Sequence, residues 1–166
     1  MTNASATANT AGTPAAERLR VAVIDDHPLF REGVAATLGA DRSMEVVGQG
    51  ATADEAIQIA QDLLPDVLLL DISLPGGGIE AMREIARLCP YIKVVILTAS
   101  ENEKHVSDAL EAGARGYVLK GVGAQELMRT IHAVHQGESY VTPQLAARLL
   151  TMMKAPPQHA PPAEAD

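Results

Sequence analysis

Five short apolar runs, "LRVAVI", "MEVVGQ", "DVLLL", "KVVILT" and "RGYVLK", are spread along the chain with longer stretches of helical period between them. Three are nearly continuous Val, Ile and Leu, as strands read when both faces of their sheet are covered. Short strands alternating with helical segments form the pattern of βα units around a parallel sheet. Such an alternation most naturally gives an open, doubly wound sheet with helices on both faces, whose ligands bind beyond the carboxyl ends of the strands. The ends of the five runs are therefore where chemistry is expected.

The intervening segments carry helix start and stop signals. Pro28 suits a first helical turn, Asp54 and Glu55 sit near a start, and Gly113 and Gly137 suit positions just past a helix end. In "AQELMRTIHAVHQG", Leu127, Ile131 and Val134 form one stripe, so a fifth helix packs on the sheet. In "SYVTPQLAARLLTMM", Thr142 can cap a short extra C-terminal helix, with Pro143 in its first turn and Leu145, Leu149 and Met152 on one face.

Composition sets the outer limits. The 166 residues are 47% hydrophobic and 20% charged, enough for one domain with its own core. A formal net charge of -8 argues against a surface that grips nucleic acid or an anionic membrane directly. Cys89 is the single cysteine, so no internal disulfide can form, and a reducing, cytoplasmic setting is expected. Its expected role is a partly buried thiol near a helix end. Residues 1–17 lack the basic start and apolar core of a signal peptide and read as a disordered leader. Residues 18–138 form the expected domain, 139–153 the short helix, and 154–166 a Pro/Ala-rich linker or tail.

The first run ends in Asp25 and Asp26, the third in Asp71, the fourth in Thr98 and the fifth in Lys120. Each has a local explanation when taken singly: Asp26 as a helix cap, Asp71 as the start of a turn before Pro75, Thr98 as a β-prone residue, Lys120 as a solvated charge. Parallel strands, however, bring all these ends to one edge of the sheet. Three carboxylates gathered there repel one another, and a cation must compensate. Lys120 supplies one positive charge, and the remaining deficit suits a hard divalent cation held by oxygen, Mg²⁺. No Cys/His set has zinc spacing. Among the five histidines, His132 and His135 lack an evident third ligand, and His27 sits beside carboxylates better suited to magnesium; surface or packing roles are expected for all five. A carboxylate nucleophile, a metal, a lysine and a hydroxyl around one spot form a kit for phosphoryl transfer through an aspartyl phosphate.

With these residues in place, the chain resembles a response-regulator receiver domain of a two-component system. The blocks "VIDDHP", "LLLDISLPGGG", "ILTAS" and "GYVLKG" fall in that family's order and rough spacing, and the resemblance covers residues 19–137. It implies a flavodoxin-like (βα)5 fold with strand order 2-1-3-4-5. It also implies that Asp71 is the phosphoacceptor, that Asp25, Asp26, Asp71 and the Ser73 backbone carbonyl hold Mg²⁺, and that Lys120 contacts the phosphoryl group. Thr98 would be the switch hydroxyl and Tyr117 the switch aromatic, rotating into space that Thr98 vacates. Without the resemblance, Tyr117 reads as a half-buried sheet aromatic.

Within the family, "DDHPLFREGV" and "AVHQGESYVTPQLAARLL" are similar to the NarL/FixJ type, whose members usually carry a C-terminal LuxR-type helix-turn-helix. The resemblance thus implies a sensor histidine kinase as partner, a homodimer on phosphorylation, and contact with DNA only through such an output domain. No second helical domain with a basic recognition helix follows in these residues, so a receiver fragment is favoured over a stand-alone receiver acting by protein contacts. Two positions depart from the common family form: the loop after Asp71 is one residue shorter, and Gly121 follows Lys120 where many receivers have proline. The rival reading is a phosphohydrolase of the haloacid dehalogenase type, which also uses a strand-end Asp. Those enzymes place a second Asp two residues after the nucleophile, where this chain has Ser73.

Overall fold

The computed structural model describes residues 17–99, 103–141, 146–147 and 150–151. Strands β1 (Leu19–Ile24), β2 (Met44–Gly50), β3 (Val67–Asp71), β4 (Lys93–Thr98) and β5 (Gly116–Leu119) coincide with the five expected runs to within a residue. Helices α1 (Pro28–Gly39), α2 (Ala53–Leu63), α3 (Gly78–Leu88), α4 (Glu103–Glu111) and α5 (Ala124–His135) connect or follow them. A further strand, β6 (Tyr140–Val141), extends the sheet to the order β2-β1-β3-β4-β5-β6, with every pairing parallel.

The sixth strand corrects the expected five-stranded sheet and the assignment of residues 139–153 to a helix alone. Gly137, with φ +98°, turns the chain out of α5, and Tyr140 N–H then donates to Arg115 O at 2.9 Å. Tyr140 and Val141 are β-prone and lie in register with Gly116 and Tyr117. The Tyr140 hydroxyl donates to Glu126 on α5, which fixes the returning segment. Residues 146–147 and 150–151 are helical, whereas Thr142, Pro143, Leu145, Leu149 and Met152, with the expected leader up to residue 16 and the tail 154–166, lie outside the described residues.

The sheet divides the core in two because successive strand side chains point to opposite faces. Val67 and Leu69 of β3 join Val21, Val23, Val34, Leu38, Leu97, Val118, Ile131 and Val134 beneath α1 and α5. Leu68 and Leu70 join Ala22, Ile24, Ala60, Met82, Ile85, Ile96, Val106 and Tyr117 beneath α2, α3 and α4. Each fully buried Val, Leu or Ile contributes roughly 1.5–3 kcal/mol, so the alternation in β3 stabilises both layers at once.

Helix ends follow local chemistry. Pro28 stands in the first turn of α1. Thr52 Oγ1 accepts from Glu55 N–H at 3.1 Å, while Glu55 Oε1 accepts from Ala51 N–H at 2.6 Å, a reciprocal start for α2. Cys89 is buried at the end of α3. Among the described residues no helix is long and apolar enough to cross a membrane, and no peptide bond is cis, that following Lys120 included.

Candidate functional site

Two aspartates end two neighbouring strands by the same device. Asp25, just beyond β1, accepts the backbone N–H of His27 on Oδ1 at 2.8 Å. Asp71, the last residue of β3, accepts the backbone N–H of Ser73 on Oδ1 at 3.1 Å. A carboxylate bonded to the amide two residues on mimics a turn and halts the strand. It also leaves the second oxygen free to face the opening. Lys120 Nζ, arriving just after β5, lies 2.8 Å from Asp25 Oδ2 and 3.4 Å from Asp71 Oδ2. The Lys120 ammonium also sits 4.9 Å from the centre of the Phe30 ring, a cation–π distance.

The short loop after Asp71 closes tightly onto that residue. Gly77 N–H donates to Leu74 O at 2.9 Å, and Gly77 holds φ +100°. A Cβ at Gly78 would lie 2.6 Å from Asp71 O and 2.5 Å from Ile72 O, so only glycine lets α3 start this close to the strand end. The Ser73 hydroxyl also donates to Asp71 Oδ1, at 3.1 Å.

Their partners, not their burial, separate the two aspartates electrostatically. Asp25 and Asp71 are 0% and 1% exposed. Burial works to raise the Asp25 pKa, but Lys120 and the His27 amide and ring overcome it and hold the carboxyl below the usual range. At Asp71 burial dominates: the Ser73 amide opposes it, the Asp25 charge adds to it, and the carboxyl stands above the usual range. Asp26, one-third exposed, completes a set in which three carboxylates face one ammonium.

The donor chemistry fits a divalent cation. Single ligand atoms from Asp25, Asp26, His27 and Asp71 all lie within 4.8 Å of one another. Asp26 Oδ1 and Asp71 Oδ2 are buried with no hydrogen bond among the described residues. Buried carboxylate oxygens without donors are costly unless a cation satisfies them.

Thr98 and Tyr117 lie on β4 and β5, the next two strands along the same edge. Thr98 is buried at the end of β4, one residue past Leu97, the register partner of Asp71. Tyr117 lies on the adjacent strand and the same sheet face, packed with Ile96, Val106, Ala109 and Ala114. Its ring is fully buried, not half-buried as its sequence context suggests, and so already lies inward. Burial pushes the phenol pKa up, with the Thr98 hydroxyl opposing the shift.

His27 is the residue that the expected surface or packing role misses. Its Nδ1 lies 2.8 Å from Asp25 Oδ1, 3.3 Å from Asp26 Oδ1, 3.7 Å from Asp71 Oδ2 and 3.1 Å from Lys120 Nζ, although the side chain remains 59% exposed. The sequence signal is its place between Asp26 and a helix-starting proline, which keeps its backbone extended (φ -100°, ψ 103°) and at the strand edge. His132 by contrast lies 3.5 Å from Ser43 on another part of the surface.

The family model described as the response regulator receiver domain matches residues 21–132. Response regulator GacA of Pseudomonas aeruginosa is 39% identical over 145 residues, covering 87% of this chain and 68% of GacA. A LuxR-family two-component response regulator from Aurantimonas sp. SI85-9A1 superposes with a TM-score of 0.78 at 33% identity, covering 82% of this chain and 98% of that one. The signal receiver domain of the response regulator NarL from Mycobacterium tuberculosis gives a TM-score of 0.70 at 35% identity, covering 74% of this chain and 99% of that one. The chain spans about 62–68% of the length of the GacA relatives it matches. The chain therefore belongs to the response regulator receiver family of two-component systems, within its LuxR/NarL group.

Proposed function

We propose that Asp71 accepts a phosphoryl group from the phosphohistidine of a sensor histidine kinase, with Mg²⁺ held by Asp25, Asp26, Asp71 and the backbone carbonyl of Ser73. The observation that carries this reading is Asp71 Oδ2: buried at the strand edge, without a hydrogen bond among the described residues, and 3.4 Å from the Lys120 ammonium. A carboxylate oxygen of Asp71 forms the new P–O bond as the P–N bond breaks, and the imidazole leaves with the electron pair. Ser73, by bonding the other oxygen, holds Asp71 in one orientation for this attack. Lys120 offsets charge on the transferred group's oxygens. A bound Mg²⁺ would neutralise the same oxygens and relieve repulsion among the three carboxylates. The domain thus promotes its own modification, with the kinase supplying the high-energy donor.

The phosphoryl group takes Asp71 from one negative charge to about two and adds strong acceptor oxygens. Thr98 and Lys120 are the donors placed to answer it. A Thr98 hydroxyl drawn toward the phosphoryl group changes the surroundings of the Tyr117 phenol on the neighbouring strand. The buried inward position of Tyr117 and an outward one are the two states that such a change would tip. Phosphorylation then biases this pair of positions and reshapes the α4–β5 surface. That change would control homodimerisation and, where a DNA-binding, transcription-regulating domain of the LuxR type is joined to the receiver, its output, in the cytoplasm where the kinase acts.

The test is to incubate the protein with a small phosphodonor and Mg²⁺ and weigh it intact. The wild type gains one base-labile phosphoryl group and Asp71→Asn gains none. A wild type that gains nothing would overturn the proposal.

A further inference from the structure

We infer that His27 is a fourth ligand of the carboxylate pocket, which makes it a mixed oxygen–nitrogen site with selective affinity for a borderline divalent transition ion such as Ni²⁺. The inference rests on the reading of this edge as a cation site and goes beyond it in naming a residue and a class of metal. Three carboxylates alone form a hard-oxygen site suited to Mg²⁺; a neutral imidazole adds a donor that suits Zn²⁺, Cu²⁺, Fe²⁺ or Ni²⁺ and does little for magnesium.

The geometry that points there is specific. His27 Nδ1 stands within 3.7 Å of an oxygen from each of Asp25, Asp26 and Asp71, although most of the ring is in solvent. Atoms that share an ion with bonds of about 2.1–2.3 Å stand roughly 3–4.5 Å apart, so this nitrogen is already at the spacing of a co-ligand to Asp26 and Asp71. The buried Asp71 Oδ2, with no hydrogen bond among the described residues, faces the same spot. The two closest neighbours of Nδ1 ask for opposite tautomers. A protonated Nδ1 donates to Asp25 Oδ1 at 2.8 Å, and a bare Nδ1 accepts from Lys120 Nζ at 3.1 Å. The second tautomer has the lone pair that a metal needs, with the remaining proton on Nε2.

The ring's polar contacts are all with the charged groups of the pocket itself. His27 occupies the N-cap position of α1 without making a side-chain cap bond. Substituting it leaves the start of α1 to Pro28 and the backbone, so variants fold and the effect on metal binding can be read directly.

The experiment measures Ni²⁺ and Mg²⁺ binding to the whole chain by titration calorimetry, with Mg²⁺ competition against Ni²⁺, for wild type, His27→Ala and His27→Phe. The phenylalanine keeps the bulk and removes the nitrogen. The expected result is that Mg²⁺ displaces Ni²⁺ from the wild type only in large molar excess, and that both variants lose Ni²⁺ affinity about tenfold or more, as loss of a group at a metal site does, with Mg²⁺ affinity little changed. Three results would overturn the inference: tighter binding of both ions in His27→Ala, which makes the ring a mere occupant of the cation's seat; an unchanged Ni²⁺-to-Mg²⁺ ratio; or Ni²⁺ that even a large excess of Mg²⁺ does not displace, which would put it at another site. A wild type that binds no Mg²⁺ at all removes the underlying cation-site reading as well, so the two failures are distinguishable.

Discussion

Two charged clusters of similar residue types sit on this molecule and behave in opposite ways. At the carboxyl edge of the sheet, Asp25, Asp26, Asp71 and Lys120 are largely withdrawn from water, with three carboxylates to one ammonium. On α5 and β6, Glu126 pairs with Arg129 one turn on, at 2.8 Å, and accepts from the Tyr140 hydroxyl, so its acid is matched by donors at the surface. The surface cluster leaves nothing for a ligand to supply. The strand-edge cluster carries an excess of negative charge and buried carboxylate oxygens with no hydrogen bond among the described residues. Balance and solvent, rather than residue type, separate a structural clip from a site.

The sharpest way to break that contrast is to remove the Lys120 ammonium from between Asp25 and Asp71. Lys120→Met leaves Asp25 and Asp71 buried against each other, and the loss of stability is expected to be about 3 kcal/mol, measured by urea denaturation without divalent ions. Mg²⁺ should recover part of it. In the wild type, Mg²⁺ at a hundred times its dissociation constant should add about 2.7 kcal/mol by mass action, and Asp26→Asn should greatly reduce that gain. Smaller still, Asp71→Asn should modestly stabilise the ion-free protein, seen as a higher denaturation midpoint. The folded Asp71 pKa is raised above its unfolded value, so its charge costs stability at neutral pH, a cost that fades as pH falls through the raised value. Asparagine keeps the Ser73 bond and removes the charge. Least of all, Arg129→Ala should leave the denaturation midpoint unmoved, because its pair with Glu126 is exposed. An Arg129→Ala loss as large as that of Lys120→Met would erase the distinction between the clusters.

Much of this was legible in the sequence because the strands are buried on both faces. "DVLLL" and "KVVILT" cannot read as amphipathic helices of useful length, and their ends fix which residues share an edge; Asp25, Asp26, Asp71 and Lys120 met there as expected. The sixth strand was not legible because Tyr140 and Val141 form too short a run to stand out, and their pairing depends on the turn at Gly137 and on Glu126 across from Tyr140. The burial of Tyr117 was hidden for a related reason. Alternation assigns it a face but not the depth of that face, which the helices packed above β4 and β5 decide. His27 escaped because adjacency to two aspartates says nothing about ring direction. That direction follows from the backbone turn at Asp25 and from the start of α1 at Pro28.

The central claim is that the strand-edge cluster exists to place a phosphoryl group on Asp71. Borohydride reduction of the phosphorylated protein, followed by peptide mass mapping, locates an acyl phosphate by converting its aspartate to homoserine. The account predicts homoserine at position 71, dependent on both phosphodonor and Mg²⁺. Reduction at Asp25 or Asp26, or a stable phosphoryl group on Ser73 or Thr98, would contradict it.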